Sequence, residues 1–161
     1  MTGSLHAFAF QAGSWRVRHR KLARRLAGCS EWMEFGGTCF AYDLLGGAGN
    51  VDDFYIDDPA GPYRAATFRR LDAATGEWSI YWADARRPSL DPPMRGRFED
   101  GVGVFHGRDS LDGRDIHVRF VWSEIGPDQA RWEQAFSRDG ETWEVNWIMQ
   151  FERESEPAAT R

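Results

Sequence analysis

The chain has 161 residues, of which 42% are hydrophobic and 28% charged, and its formal net charge is −5. A chain of this length makes one domain and buries roughly two-thirds of its unfolded surface, so folding needs neither disulfides nor a metal. The acidic balance excludes nucleic acid as a main partner, because phosphate binding needs a strong positive field.

Period-two alternation runs through nearly the whole chain. It opens with "AGSWRVRHRKL" (12–22), in which Trp15, Val17 and His19 alternate with Arg16, Arg18 and Arg20. "KLARRLAGCS" (21–30) spaces Leu22 and Leu26 four apart and reads as a short helix or helical turn near the N-terminus. Residues 31–44 read as a long strand with a bulge or sharp bend at Gly36 and Gly37. The glycine-rich stretch "LLGGAGN" is a turn, residues 50–56 a strand, and "DDPAGP" a loop.

"YRAATFRRL" and "EWSIYWAD" are two further strands. "RRPSLDPP" (86–93), with its three prolines, cannot be regular structure. Strands 94–100 and 102–109 meet at Asp100-Gly101, and the next begins after Asp112-Gly113, both strong hairpin signals. Strands over 129–136 and 141–153 follow, with a third such turn at Asp139-Gly140. About ten strands at this spacing, with short connections and no protected edge, predict an all-β fold. The specific expectation is a closed antiparallel up-and-down β-barrel. One domain over 1–154 and a disordered tail over 155–161 complete the organisation.

Eight tryptophans set the character of the interior. Trp78 and Trp82, Trp122, Trp132, and Trp143 with Trp147 fall on the apolar faces of their strands, as does Trp15. These faces are expected to point inward and to line one space, with His19, Thr67 and Gln134 as its polar groups. A small barrel does not always fill itself with rings, and a leftover cavity suits a flat apolar or aromatic ligand. Trp15, His19, Trp82, Trp132, Asn146 and Trp147 are therefore the candidate ligand-binding residues. Outward apolar positions (Ile148, Val121, Tyr81, Val104) imply either that some strands are covered on both sides or that the barrel packs against a second copy, as a homodimer.

Gly13-Ser14-Trp15 on the first strand, after Leu5, Phe8 and Phe10, resembles the opening of lipocalins and other calycins. That resemblance implies a tryptophan closing one barrel end against a basic residue of the last strand, here Arg153. "LLGGAGNVDDF", "GRFEDGVGVF" and "RWEQAFSRDGETWEVNW" extend the likeness to an uncharacterised bacterial lipocalin-like family over most of 8–153. The family brings no catalytic residues to transfer. The haem-binding nitrobindin barrels also look similar, but they take a histidine from near the C-terminus, and the last histidine here is His117.

An enzymatic alternative is a cofactor-free isomerase or cyclase, with His19 and either Glu34 or Glu133 as acid and base. A carboxylate beside His19 inside the barrel is the arrangement it requires. The basic cluster Arg16, Arg18, Arg20, Lys21, Arg24 and Arg25 reads as a solvated face. Cys29 and Cys39 read as free buried thiols, and no metal-ligand spacing and no cofactor motif is present. No run approaches the ~18 apolar residues of a membrane helix and no leader pattern opens the chain, so no membrane partner and a cytoplasmic location are expected.

Overall fold

The computed structural model describes residues 5–155; the expected tail beyond 155 and the first four residues lie outside the described residues. The strands are β1 (Gly13–Leu22), β2 (Trp32–Leu44), β3 (Gly49–Ile56), β4 (Tyr63–Asp72), β5 (Glu77–Asp84), β6 (Met94–Glu99), β7 (Val102–Leu111), β8 (Arg114–Ser123), β9 (Gln129–Ser137) and β10 (Glu144–Arg153). Each pairs antiparallel with its chain neighbour, and β1 pairs with β10 to close the barrel. Closure leaves no free sheet edge, which removes the usual route to edge-to-edge association. No described helix is long and apolar enough to cross a membrane.

Turn chemistry sets the hairpins. Asp100 and Gly101 (φ 52° and 79°) and Asp112 and Gly113 (φ 51° and 79°) take the left-handed conformations that a two-residue turn between twisted strands demands. Asp139-Gly140 instead belongs to a longer loop before β10. There one Asp139 carboxylate oxygen accepts from the Ser137 hydroxyl and from the backbone N–H groups of Glu141 and Thr142. These donors hold the Asp139 pKa down to about 2.

Three local expectations are corrected. Residues 21–30 form no helix: Lys21 and Leu22 finish β1, and the chain then bends through Leu26 and Gly28, both at positive φ. Among the described residues the helical content is two 3₁₀ turns, over Ala9–Gln11 and Leu45–Gly47. Gly36 and Gly37 make no bulge, since the β1–β2 register runs unbroken from Gly13↔Ala41 to Leu22↔Trp32. The bulge lies in β10, between Val145 and Trp147, where Asn146 is the extra residue. Of the two cysteines only Cys39 is buried; Cys29 is half-buried in the loop after β1, and both are free.

The barrel has one closed and one open end. At the closed end Phe8 packs edge-on to Trp78 (5.1 Å) and Phe98 (5.0 Å), plugging the bottom with the N-terminal segment. Trp15 is wholly buried; its indole N–H donates to the Gln11 carbonyl at 2.7 Å. The Arg153 guanidinium sits 4.2 Å over the Trp15 ring and donates to the carbonyls of Phe10, Ala12 and Pro127. One side chain thus ties the first strand, the last strand and the entering segment together.

Beneath this plug lies a buried polar network. Arg69 on β4 pairs with Asp52 on β3 at 2.8 Å, and both side chains are at most 4% exposed. Arg69 also donates to Asn50 Oδ1 (2.6 Å), and Gln11 donates to the same Asp52 oxygen that Arg69 holds, Oδ2 (3.0 Å). The guanidinium lies 4.9 Å from the Phe8 ring and 5.7 Å from the Trp122 ring. Burying two charges is costly unless hydrogen bonds and partners replace water; here they do so in part, and Asp52 Oδ1 and Arg69 Nε have no hydrogen-bond partner among the described residues.

Candidate functional site

Strand parity decides which side chains reach the interior. On β1 the inward series Trp15, Val17 and His19 continues to Lys21, while the three arginines point outward. On β5 the inward series is Trp78, Ile80, Trp82; on β8 it is Ile116, Val118, Phe120, Trp122; on β9 it is Trp132, Gln134, Phe136. On β10 the bulge resets the phase: Asn146 and Trp147 are both buried, and Met149 and Phe151 follow inward.

These series leave a cavity of about 310 Å³ that opens at the end opposite the plug. Its apolar wall is built from Trp82, Trp132 and Trp147 with Phe120, Phe136 and Met94. The three indoles brace one another: Trp132 stands at 90° to Trp147 with centroids 5.3 Å apart, and Trp82 at 86° to Trp147, 6.0 Å apart. Below them a void of about 20 Å³ reaches Thr67, Arg69 and Trp122, sharing Ile80, Trp82, Phe120 and Trp132 with the larger cavity. The rings therefore form a partition between an open chamber and the closed core.

The rim is ionic. Lys21, Arg25, Arg86, Arg87 and Arg108 line it together with Asp84, Asp91 and Asp109. Arg86 grips Asp84 through both carboxylate oxygens (2.9 and 2.6 Å) and lies 3.6 Å over the Tyr63 ring. That grip and the Arg86 N–H hold the Asp84 carboxyl below its usual range, against its burial. Arg87 pairs with Asp91, whose pKa burial pushes up. The proline-rich stretch 86–93 is thus a wall of the mouth. Its irregular backbone was legible in the sequence, but its place at the site was not.

His19 lies behind the indole partition. Its Nδ1 accepts from the Trp147 indole N–H at 3.0 Å, its ring stacks on Phe35 at 4.8 Å, and it is 1% exposed. An accepting Nδ1 places the proton of the neutral ring on Nε2, which has no hydrogen-bond partner among the described residues. Burial first, and then the Lys21 charge, lower its pKa to about 4, so the ring is neutral at pH 7.

The remaining candidates separate clearly. Trp82, Trp132 and Trp147 line the cavity. Asn146 stands one layer back, and its Oδ1 accepts from Gln134, a cavity residue, at 2.8 Å. Trp15 is at the closed end. Glu34 pairs in register with outward Arg20 on the outer face, and Glu133 bonds to Arg131 at 3.1 Å on the opposite side of β9 from Trp132. Neither carboxylate shares the interior with His19, so the acid–base pairing required by the enzymatic alternative is not formed.

The expectation that seven tryptophans line one space is also corrected. Trp78 and Trp122 pack with Phe8 at the closed end. Trp143 precedes the bulge and faces outward, against His106, His117 and the Arg119 guanidinium at 4.5 Å.

No family model matches the chain, and no curated protein matches it in sequence. Solved structures that share the fold include two that match over most of the chain. Rv2717c from M. tuberculosis matches at a TM-score of 0.61 and 10% identity, over 94% of this chain and 97% of its own. The S-type phycobiliprotein lyase CPES from Guillardia theta matches at a TM-score of 0.61 and 11% identity, over 93% of this chain and 92% of its own. The closed ten-strand barrel and these neighbours fit a lipocalin-like fold.

Proposed function

We propose that this protein binds a small apolar or aromatic molecule in the cavity at the open end of its barrel. The observation that carries the reading is the asymmetry of the interior. One end is plugged by packed rings and a buried ion pair, while the other keeps about 310 Å³ in contact with solvent, walled by Trp82, Trp132 and Trp147. That volume lies at the small end of the range of ligand sites, and an aromatic wall with a few polar groups is their usual lining. The resemblance to the uncharacterised lipocalin-like family supports the reading, as does a neighbour of the same fold that is a phycobiliprotein lyase.

The test is a titration with a neutral two-ring aromatic alcohol. Binding against the three indoles quenches tryptophan fluorescence. At a ligand concentration of about 100 Kd it stabilises the fold by about 2.7 kcal/mol, a rise of several degrees in Tm. Absence of both responses across neutral, anionic and cationic aromatic and alkyl probes overturns the reading.

A further inference from the structure

Among the described residues, the mouth of the cavity holds a cation with no ion-pair partner. Lys21 takes the inward position on β1 after His19, and its ammonium lies 4.3 Å from the centroid of the Trp147 ring. Among the described residues no carboxylate lies within 4 Å of it. The acids around it are engaged elsewhere: Asp58, whose charge acts on Lys21 more strongly than that of Asp84, accepts from the Ala60 N–H at 2.8 Å, Asp84 is held by Arg86 and Arg87, and Asp91 by Arg87. Arg25 and Arg108 line the same rim without a carboxylate partner: Arg25 lies 5.8 Å from the Phe136 ring, and Arg108 donates to the Ile116 carbonyl.

The charge count agrees. Five cations and three aspartates line the cavity, a balance of +2 within a chain whose net charge is −5. A positive mouth on an acidic protein focuses anions toward one place, and low-dielectric walls strengthen the effect. An inward lysine that lacks a partner costs stability, which is a reason to look for the partner in a ligand. Burial and Arg25 bring the Lys21 pKa down to about 8, so the ammonium is still the major form at pH 7.

We propose that the ligand is a monoanionic amphiphile, a carboxylate or sulfonate on an aromatic or alkyl body. Its body rests on Trp132, Trp147 and Phe120, and its head group meets the Lys21 ammonium at the mouth. This rests on the cavity reading above and adds the head-group chemistry to it. The Arg108 guanidinium supplies a second cation on the facing side of the rim. A charge-assisted bond between the ammonium and the head group replaces the missing internal partner.

Three probes of one shape separate the possibilities: naphthylacetate, naphthylethanol and naphthylethylamine, titrated calorimetrically into the full chain at pH 7. The expected order is acetate tightest, by at least about tenfold over the alcohol, with the amine weakest. Lys21→Met is expected to cost the acetate about tenfold and leave the alcohol within about twofold, whereas Lys21→Arg keeps the preference. Equal binding of acetate and alcohol overturns the head-group inference and leaves the cavity reading standing. Failure of all three, and of their alkyl counterparts, to bind overturns the cavity reading itself. The ranking on the unaltered protein decides the matter even where Lys21→Met does not fold.

Discussion

The Trp147 indole donates its N–H to His19 Nδ1 at 3.0 Å, across the β1–β10 seam that closes the barrel. This bond fixes the tilt of the ring that forms the cavity wall. It also fixes the histidine as neutral, because protonation at Nδ1 would put two donors face to face. The bond thus couples the shape of the site to one titration.

That coupling has a definite sign. The His19 pKa is about 4 in the folded state, below the ordinary value of 6.5. The unfolded chain therefore binds a proton at higher pH than the folded one. Stability from neutral His19 is fully present above pH 6.5, is lost as pH falls from 6.5 toward 4, and levels off below. At 1.36 kcal/mol per pKa unit the loss is about 3 kcal/mol. Urea unfolding midpoints of the wild type and His19→Gln, compared from pH 7 to pH 4, are expected to converge as pH falls. Parallel profiles would show that His19 is not the titrating group.

The Arg69–Asp52 pair makes a second prediction, at the closed end. Arg69→Met leaves the Asp52 carboxylate buried with only the Gln11 amide as a side-chain donor. The expected loss is about 3–5 kcal/mol, the cost of an uncompensated buried charge. Arg69→Met/Asp52→Leu removes both charges and is expected to lose clearly less than the sum of the single variants. Urea denaturation measures all four proteins; strictly additive losses would show that the two side chains do not depend on each other.

How far the sequence carried the fold can be argued from particular residues. Trp15, Arg153 and the inward rings of β5, β8 and β9 were legible because simple alternation holds along those strands. Trp143 was misplaced because alternation alone cannot see the extra residue at Asn146, which inverts the facing of the residues before it. Arg69 and Asp52 escaped notice because each looks like an ordinary strand charge until β3 and β4 are set in register. Lys21 was counted with its arginine neighbours as a solvated face, although its own parity with His19 placed it inside. Proline content showed that 86–93 is irregular; only the tertiary path shows that it borders the cavity.

The paired glycines of β2 give the third prediction, and here the two residues differ although they are adjacent. Gly36 faces outward, and an added methyl there would meet only the Val17 carbonyl, at 3.9 Å. Gly37 faces inward against β3, where an added methyl would strike the Tyr55 carbonyl and press on the Ile56 backbone. The obstacle is main chain held in the β2–β3 ladder, so no rotamer change relieves it. Gly37→Ala is expected to destabilise by about 1–3 kcal/mol, as overpacking does. Gly36→Ala has room, and within a strand the loss of glycine's unfolded-state freedom makes it neutral or slightly stabilising, within about 1 kcal/mol. Thermal unfolding of the two variants beside the wild type measures the difference. Equal shifts would mean that close approach of β3, rather than a bulge, is not the reason a glycine occupies position 37.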